Sequence, residues 1–273
     1  MFELVPLRDG SFTLRDSDSG ETFHPMVGPM AEAKAIHIAP LQLEKRLGRG
    51  GVFTVWDVGL GAAANAIALV EALAKIGVLF ECRLFSFDRT LEPLVFALEH
   101  AEALRYPLGW ERSLHELADT HLTRITFSNG SVLDWQLHLA DFTTFPEAHA
   151  PDGIIYDPYS PVKNEAMWSL EHFAKLRQRL SQPAILTSYS RSTAVRVTLL
   201  LAGFYVGIGG ATGEKDQTTV AATESELLEN PLKLDWLKRV RMSTSARPLG
   251  CGDKGPISRK DLQKLEEHPQ FVS

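Results

Sequence analysis

Along this chain the spacing of apolar positions switches repeatedly between two and three-to-four, the periods of a strand and of a helix face. The first 25 residues alternate with period two: FELVPL, then FTLRD, then ETFHP, with Asp18-Ser19-Gly20 as turn chemistry. This predicts a short antiparallel meander. Pro25, Gly28 and Pro29 break it, and residues 30–47 read as a helix reshaped at Pro40. From Val52 the texture becomes strand, helix, strand. VFTVWDV ends in Gly59 and Gly61, and AAANAIALVEALAKI follows with Ala66, Leu69, Val70 and Leu73 on one helix face. CRLFSFD and TLEPLVFALEHAEAL repeat the pair, and GIIYDP leads into the amphipathic NEAMWSLEHFAKLRQRL. AILTSYS and TAVRVTLLLAGF form a further strand and helix. In RITFSNGSVLDWQLHLAD, Asn129-Gly130 sits between two alternating runs, a strong hairpin signal. YVGIGG and QTTVAAT close the series, joined by the turn ATGEKD.

Alternating strands and helices predict an α/β fold, a mostly parallel sheet covered on both faces. The last two strands have no helix between them, so the final strand should run antiparallel. The expectation is therefore a seven-stranded, Rossmann-like class I methyltransferase sheet with an N-terminal β/α extension. It divides the chain into an extension at 1–50, the methyltransferase domain at 51–224, and a helical or irregular tail at 225–273.

Composition narrows the classes further. Of 273 residues, 44% are hydrophobic and 23% charged, which excludes wholesale disorder. No run approaches the roughly 20 apolar residues of a membrane span, and no secretory signal is visible. Cys82 and Cys251 cannot make a disulfide framework, which suits a reduced, cytoplasmic setting. The nine histidines show no ligand spacing, so no metal is expected. A net charge of 28 − 34 = −6 argues against a general nucleic-acid coat. A local basic face stays open in Lys233, Lys238, Arg239, Arg241 and Arg247, which also read as a solvated helix face.

The candidate chemistry collects at strand ends. In Asp57-Val58-Gly59-Leu60-Gly61-Ala62-Ala63-Ala64-Asn65, the glycines allow a sharp turn beside a helix N-terminus. A dinucleotide site would want a third glycine where Ala64 stands. Asp57 suits instead a ligand with an ammonium and a sulfonium; a glycine turn without ligand is the plainer alternative. Asp88 ends the second strand, placed to accept ribose hydroxyls or, more plainly, to cap a helix. Asp141 and Phe142 follow the hairpin strand, positioned for an adenine ring or for ordinary turn chemistry. The most unusual segment is Asp157-Pro158-Tyr159-Ser160-Pro161-Val162-Lys163-Asn164, followed by Met167-Trp168. Its prolines stiffen a loop at the carboxyl edge of the sheet. Asn164 as a cap, Trp168 as core and Lys163 as a solvated cation are the structural alternatives. Asp157 is hardest to dismiss, because a carboxylate after GIIY needs a partner once buried.

DVGLGAAANA, FSFD, the DPYSPVKNEAMW loop and TSYSRSTAVRVTLLLAGF resemble the methyltransferase half of the MnmC family of tRNA-modifying enzymes. HPMVGPMAEAKAIHI resembles its single-domain relatives. The resemblance implies S-adenosyl-L-methionine as cofactor and N-methylation of the 5-aminomethyl group of a tRNA wobble uridine. It implies Asp157 as the active-site acid and Asp57, Gly59, Gly61 and Asp88 as cofactor residues. Asn65, Asp141 and Phe142 are expected to complete the cofactor site, and Tyr159, Lys163, Asn164 and Trp168 to meet the substrate. The likeness does not extend to the FAD-containing oxidase half, which implies a separate enzyme supplying the aminomethyl group. The family's basic motif near the penultimate strand is replaced by Gly213-Glu214-Lys215-Asp216, and its acid after the second strand is here Asp88 rather than Glu. Two alternatives stand beside this reading: methylation of a small-molecule or protein amine, and an inactive cofactor- or RNA-binding accessory protein.

Overall fold

The computed structural model describes residues 1–7, 10–23, 28–48, 51–145, 149–211 and 216–272. Expectations that fall on Pro25 and on Gly213, Glu214 and Lys215 lie outside the described residues. The chain opens with β1 (Phe2–Pro6) and β2 (Phe12–Asp16), paired antiparallel. The third piece of the expected meander is a single bridge, Arg15 to Thr22. The helical stretch then breaks up as its sequence demands: α1 (Pro29–Ala33), a π-type turn Lys34–Ile38, and a 3-10 turn Ala39–Leu41 holding Pro40. Gln42 turns left-handed at φ 54°, and Leu43–Arg46 adds one more turn.

The central sheet holds β3 (Val52–Val58), β4 (Glu81–Asp88), β5 (Leu122–Thr126), β6 (Val132–Leu139), β7 (Gly153–Tyr156), β8 (Ile185–Ser188), β9 (Tyr205–Gly209) and β10 (Thr218–Ala222). Their spatial order is β5-β6-β4-β3-β7-β8-β10-β9. There are eight strands rather than seven, because the hairpin at Asn129-Gly130 contributes β5 as well as β6. β5 alternates exposed and buried residues, as an edge strand facing the core on one side does. Two strands therefore run against the rest: β5, and β10 as the missing crossover helix predicts.

Helices cover both faces. They include α2 (Ala64–Leu73), α3 (Glu92–Glu99), α4 (Glu111–Thr120), α5 (Leu170–Arg179) and α6 (Thr193–Leu201). Beyond the sheet lie α7 (Trp236–Met242) and α8 (Arg259–Glu266), the latter packed on α6. α2 is buried on nearly every side, which explains a composition of Ala, Ile, Leu and Val with little amphipathic contrast. Two helical expectations are corrected. α4 has Leu114 and Leu117 on its buried face but was not read as a helix, because charged residues surround them. The NEAMW…RQRL helix is broken at Ser169, whose extended backbone lets its hydroxyl accept from His172 N at 3.2 Å and cap α5. Sheet order reverses at β3, flanked by β4 on one side and β7 on the other. A crevice must open at the carboxyl ends of these strands, where their connections diverge to opposite faces.

Candidate active site

A cleft of about 640 Å³ opens there. Its floor is the turn after β3. Gly59 N and Leu60 N both donate to Phe87 O, at 3.0 and 3.2 Å, and Gly61 N donates to Asp88 Oδ2 at 2.8 Å. Asp88 Oδ1 accepts from Arg89 N at 2.7 Å. Gly59 holds φ 91°, and a Cβ there would stand 2.6 Å from the Asp157 carbonyl oxygen. The turn closes on Ala63, left-handed at φ 64° although it is not glycine. Such strain survives only where surroundings hold it, here with Tyr106 Oη donating to the adjacent Ala62 carbonyl at 2.9 Å.

At the far end of the cleft, Asp141 Oδ1 accepts from Thr143 N at 2.9 Å and from Thr143 Oγ1 at 2.7 Å. These bonds lead the influences that hold its carboxyl below the usual range. Phe142 lines the wall beside it, wedged edge-on against Trp56 and Phe87. Burial pushes the Asp88 carboxyl up, against the backbone donors that favour its charge.

Asp157 occupies the near end, following β7. Its Oδ2 accepts from Asn65 Nδ2 at 2.6 Å and lies 3.8 Å from His37 Nε2. Asn65 thus belongs to the Asp157 end of the cleft. Its own Oδ1 is buried with no hydrogen-bond partner among the described residues. Tyr189 Oη donates to Pro158 O at 3.2 Å, and Tyr159 Oη donates to Asp16 Oδ2 at 3.0 Å. Ser160 N donates to Glu21 Oε2 at 3.1 Å. The N-terminal hairpin region is thereby tied to the 157–164 loop, with Phe23 packed near Tyr159 and Gly61. Among the described residues, carboxylates dominate the lining: Glu21, Glu32, Asp88, Asp141 and Asp157, against one arginine, Arg89.

Three of the residues expected at the site do not line the cleft. Asp57 is wholly buried beneath the turn, its Oδ2 accepting from Ser86 Oγ at 2.8 Å. Its Oδ1 is buried with no hydrogen-bond partner among the described residues, and the side chain is not part of the cleft lining. Trp168 is also core: its Nε1 donates to Tyr159 O at 2.8 Å, and its ring packs on Tyr156 and Tyr189. The chain break at Ser169 turns it inward beneath the loop. Lys163 is exposed and stands apart from the lining residues. Gly59, Gly61, Asn65, Asp88, Asp141, Phe142, Asp157, Tyr159 and Asn164 do line the cleft. Sequence reasoning passed over His37, Glu32 and Tyr189. The N-terminal segment brings His37 to within 3.8 Å of Asp157 and Glu32 into the cleft lining, and no local pattern announces either.

Two expected results follow from the misplaced pair. Trp168→Phe keeps the ring packing but leaves the Tyr159 carbonyl without its donor. It should lower stability by about 1–2 kcal/mol in chemical denaturation. Asp57 has its carboxyl pushed up to about 7, chiefly by burial and partly offset by Ser86. An acid whose folded value is raised loses its stabilising contribution as pH rises from the unfolded value, 3.8, through about 7. Asp57→Asn removes that loss. The melting temperature of the variant relative to the parent should therefore climb across pH 4 to 7, reflecting at most something on the order of 4 kcal/mol.

A crevice at a topological switch point, floored by a glycine turn and lined by carboxylates at strand ends, suits the cofactor cleft of an S-adenosyl-L-methionine-dependent methyltransferase, and the comparisons with known proteins agree. Residues 113–224 match the model of a family described as S-adenosyl-L-methionine-dependent methyltransferase. The chain is 26% identical over 242 residues to the tRNA 5-methylaminomethyl-2-thiouridine biosynthesis bifunctional protein MnmC of Methylibium petroleiphilum, covering 86% of this chain and 37% of that protein. It is 29% identical over 266 residues to the protein of the same name from Ralstonia nicotianae, covering 91% and 39%. The chain thus spans little more than a third of these relatives. The crystal structure of MnmC2 from Aquifex aeolicus shares the fold, with TM-score 0.68 and 21% identity over 98% of this chain and 83% of that one. The chain is thus similar to these MnmC proteins over most of its own length and shares the fold of MnmC2. Among the described residues no helix is long and apolar enough to cross a membrane.

Proposed function

We propose that the protein methylates the primary amine of a 5-aminomethyl group on a tRNA wobble uridine. The observation that carries this reading is Asp157, a carboxylate in the cleft wall held by Asn65 at 2.6 Å. The names of its relatives supply the substrate class. When bound, S-adenosyl-L-methionine supplies a methyl group made electrophilic by its sulfonium. Gly59, Gly61, Asp88, Asp141 and Phe142 would hold that cofactor. Asp88 offers lone pairs beyond those spent on backbone donors, and Phe142 offers an apolar ring face or edge. The orphaned Asn65 Oδ1 fits an incoming N–H donor, as the ammonium of cofactor or acceptor would provide.

The remaining chemistry is proton management and orientation. An alkyl ammonium resembles that of Lys, with a pKa about 10.4, and has no lone pair while protonated. Asp157 accepts a hydrogen bond from the amine, aims its lone pair and draws off a proton. The acidic lining attracts a cationic acceptor, and Tyr159 and Asn164 lie where its base would enter. On this reading a separate enzyme supplies the aminomethyl group, and the chain works on tRNA in the cytoplasm. The acidic cleft also suits a small-molecule or protein amine. Transfer assays on tRNA bearing the free aminomethyl group, and on the same tRNA after N-acetylation, decide the matter. The first should accept methyl and the second none; equal transfer to both would overturn the amine as acceptor.

A further inference from the structure

A buried histidine, His37, faces the Asp157 end of the cleft. We propose that His37 is a positioning residue that receives, through Asp157, the proton leaving the acceptor amine. The inference rests on the amine-methylation reading, but part of its test does not.

His37 lies in the π-type turn Lys34–Ile38, its side chain 1% exposed. Its Nδ1 is 3.0 Å from Thr187 Oγ1, which in turn donates to Ile154 O at 3.3 Å. A hydroxyl has one hydrogen. Spent on the Ile154 carbonyl, it leaves Thr187 Oγ1 an acceptor, and we assign the ring proton to Nδ1 accordingly. Nε2 is then the basic nitrogen, and Nε2 is the one 3.8 Å from Asp157 Oδ2. Nε2 and the Asp157 carboxylate oxygen face each other across that gap. A single proton placed between them turns the contact into a charge-assisted hydrogen bond, and drawing the pair together needs a movement of only about 1 Å.

The surroundings favour such a proton. Among the described residues, Glu21 after β2, the Tyr159 phenol of the 157–164 loop and the Tyr189 phenol after β8 are further titratable groups of this end of the cleft, Glu32 on α1 also lines the cleft, and Asn65 on α2 is the neutral donor to Asp157. Arg89, the one arginine among the described lining residues, stands by Asp141 at the far end, 3.6 Å from its Oδ2. Carboxylates stabilise an imidazolium that burial alone would disfavour.

The acceptor arrives as R–NH3⁺. One N–H bond breaks, its electron pair stays on nitrogen, and the proton passes to Asp157 and on to His37 Nε2. The amine nitrogen bonds to the methyl carbon as the donor's C–S bond breaks with its pair left on sulfur. The products are R–NH2⁺–CH3, a neutral thioether and an imidazolium at His37. That proton returns to solvent by way of Asp157, whose side chain is 17% exposed at the cleft wall.

Two measurements test this. In ligand-free protein, the His37 ring resonances, assigned by their absence in His37→Gln, are followed against pH by NMR. Asp157→Asn should lower the His37 titration midpoint by about one pH unit or more, as loss of a nearby carboxylate does. An unchanged midpoint would overturn the coupling whatever the acceptor turns out to be. In transfer assays with aminomethyl-bearing tRNA, His37→Gln should fall by about 10²-fold near pH 7 with cofactor affinity unchanged. The deficit should shrink as pH approaches 10, where the amine sheds its proton unaided. A deficit constant across pH would make His37 merely structural. Absence of transfer by the parent protein would sink the tRNA reading and leave the NMR result standing.

Discussion

Asp157→Ala should reduce methyl transfer by about 10³-fold or more while S-adenosyl-L-methionine affinity, read by calorimetry, stays within a few-fold. The separation arises from position. Asp157 follows β7 and faces Asn65 and His37, whereas the expected cofactor residues Gly61, Asp88 and Asp141 belong to the turn after β3 and the ends of β4 and β6. Asp157→Asn sharpens the comparison. It keeps the shape and an acceptor oxygen for Asn65 but cannot carry a proton. A role in proton removal requires Asn to fail nearly as badly as Ala. Recovery of turnover by Asn would reassign Asp157 to packing alone.

The second large effect is expected at Gly59. Its φ of 91° is a conformation L side chains rarely adopt, and its missing Cβ leaves room for backbone atoms of the 157–164 loop. In Gly59→Ala the new methyl would meet Asp157 O at 2.6 Å, Asp157 C at 3.0 Å and Pro158 Cα at 3.2 Å. None of these can rotate away. Stability should fall by about 2 kcal/mol or more, and cofactor affinity should fall by at least about tenfold because the turn and the loop must part. Gly109 provides the control, with φ 89° and nothing within 4 Å of its Cβ position. Gly109→Ala should show only the backbone penalty, about 1 kcal/mol, and leave cofactor binding alone. Equal effects at both positions would deny the close approach its importance.

Much of this architecture was legible in the chain because the signals are local. Apolar runs of strand length, glycine at the first turn, and the absence of a helix between the last two strands suffice for the sheet and its reversed strand. The two alternating runs around Asn129-Gly130 already supply two strands, and both join the sheet; the expected total of seven left one of the runs out. The broken α5 region was hidden because Ser169 interrupts an otherwise continuous apolar periodicity, and only its cap reveals the break.

Where residue type and strand end coincide, as at Asp88, Asp141 and Asp157, the expected residues line the cleft. It was misread where the direction of a side chain decides. Asp57 and Trp168 sit in the right segments but turn away from the cleft into buried layers, where they brace the turn and the loop. His37 was invisible for the opposite reason. Its partners Thr187 and Asp157 are 150 and 120 positions away, and one histidine in an apolar segment carries no spacing signal.

On the proposed function, this cleft delivers a methyl group to an aminomethyl nitrogen of tRNA. The direct measurement uses isotopically labelled S-adenosyl-L-methionine with bulk tRNA from cells lacking the wobble methylation, followed by digestion to nucleosides. Label recovered in 5-methylaminomethyl uridine, and lost with Asp157→Ala, is the expected result. Cofactor binding without label in any nucleoside would contradict the claim and direct the search to small-molecule amines.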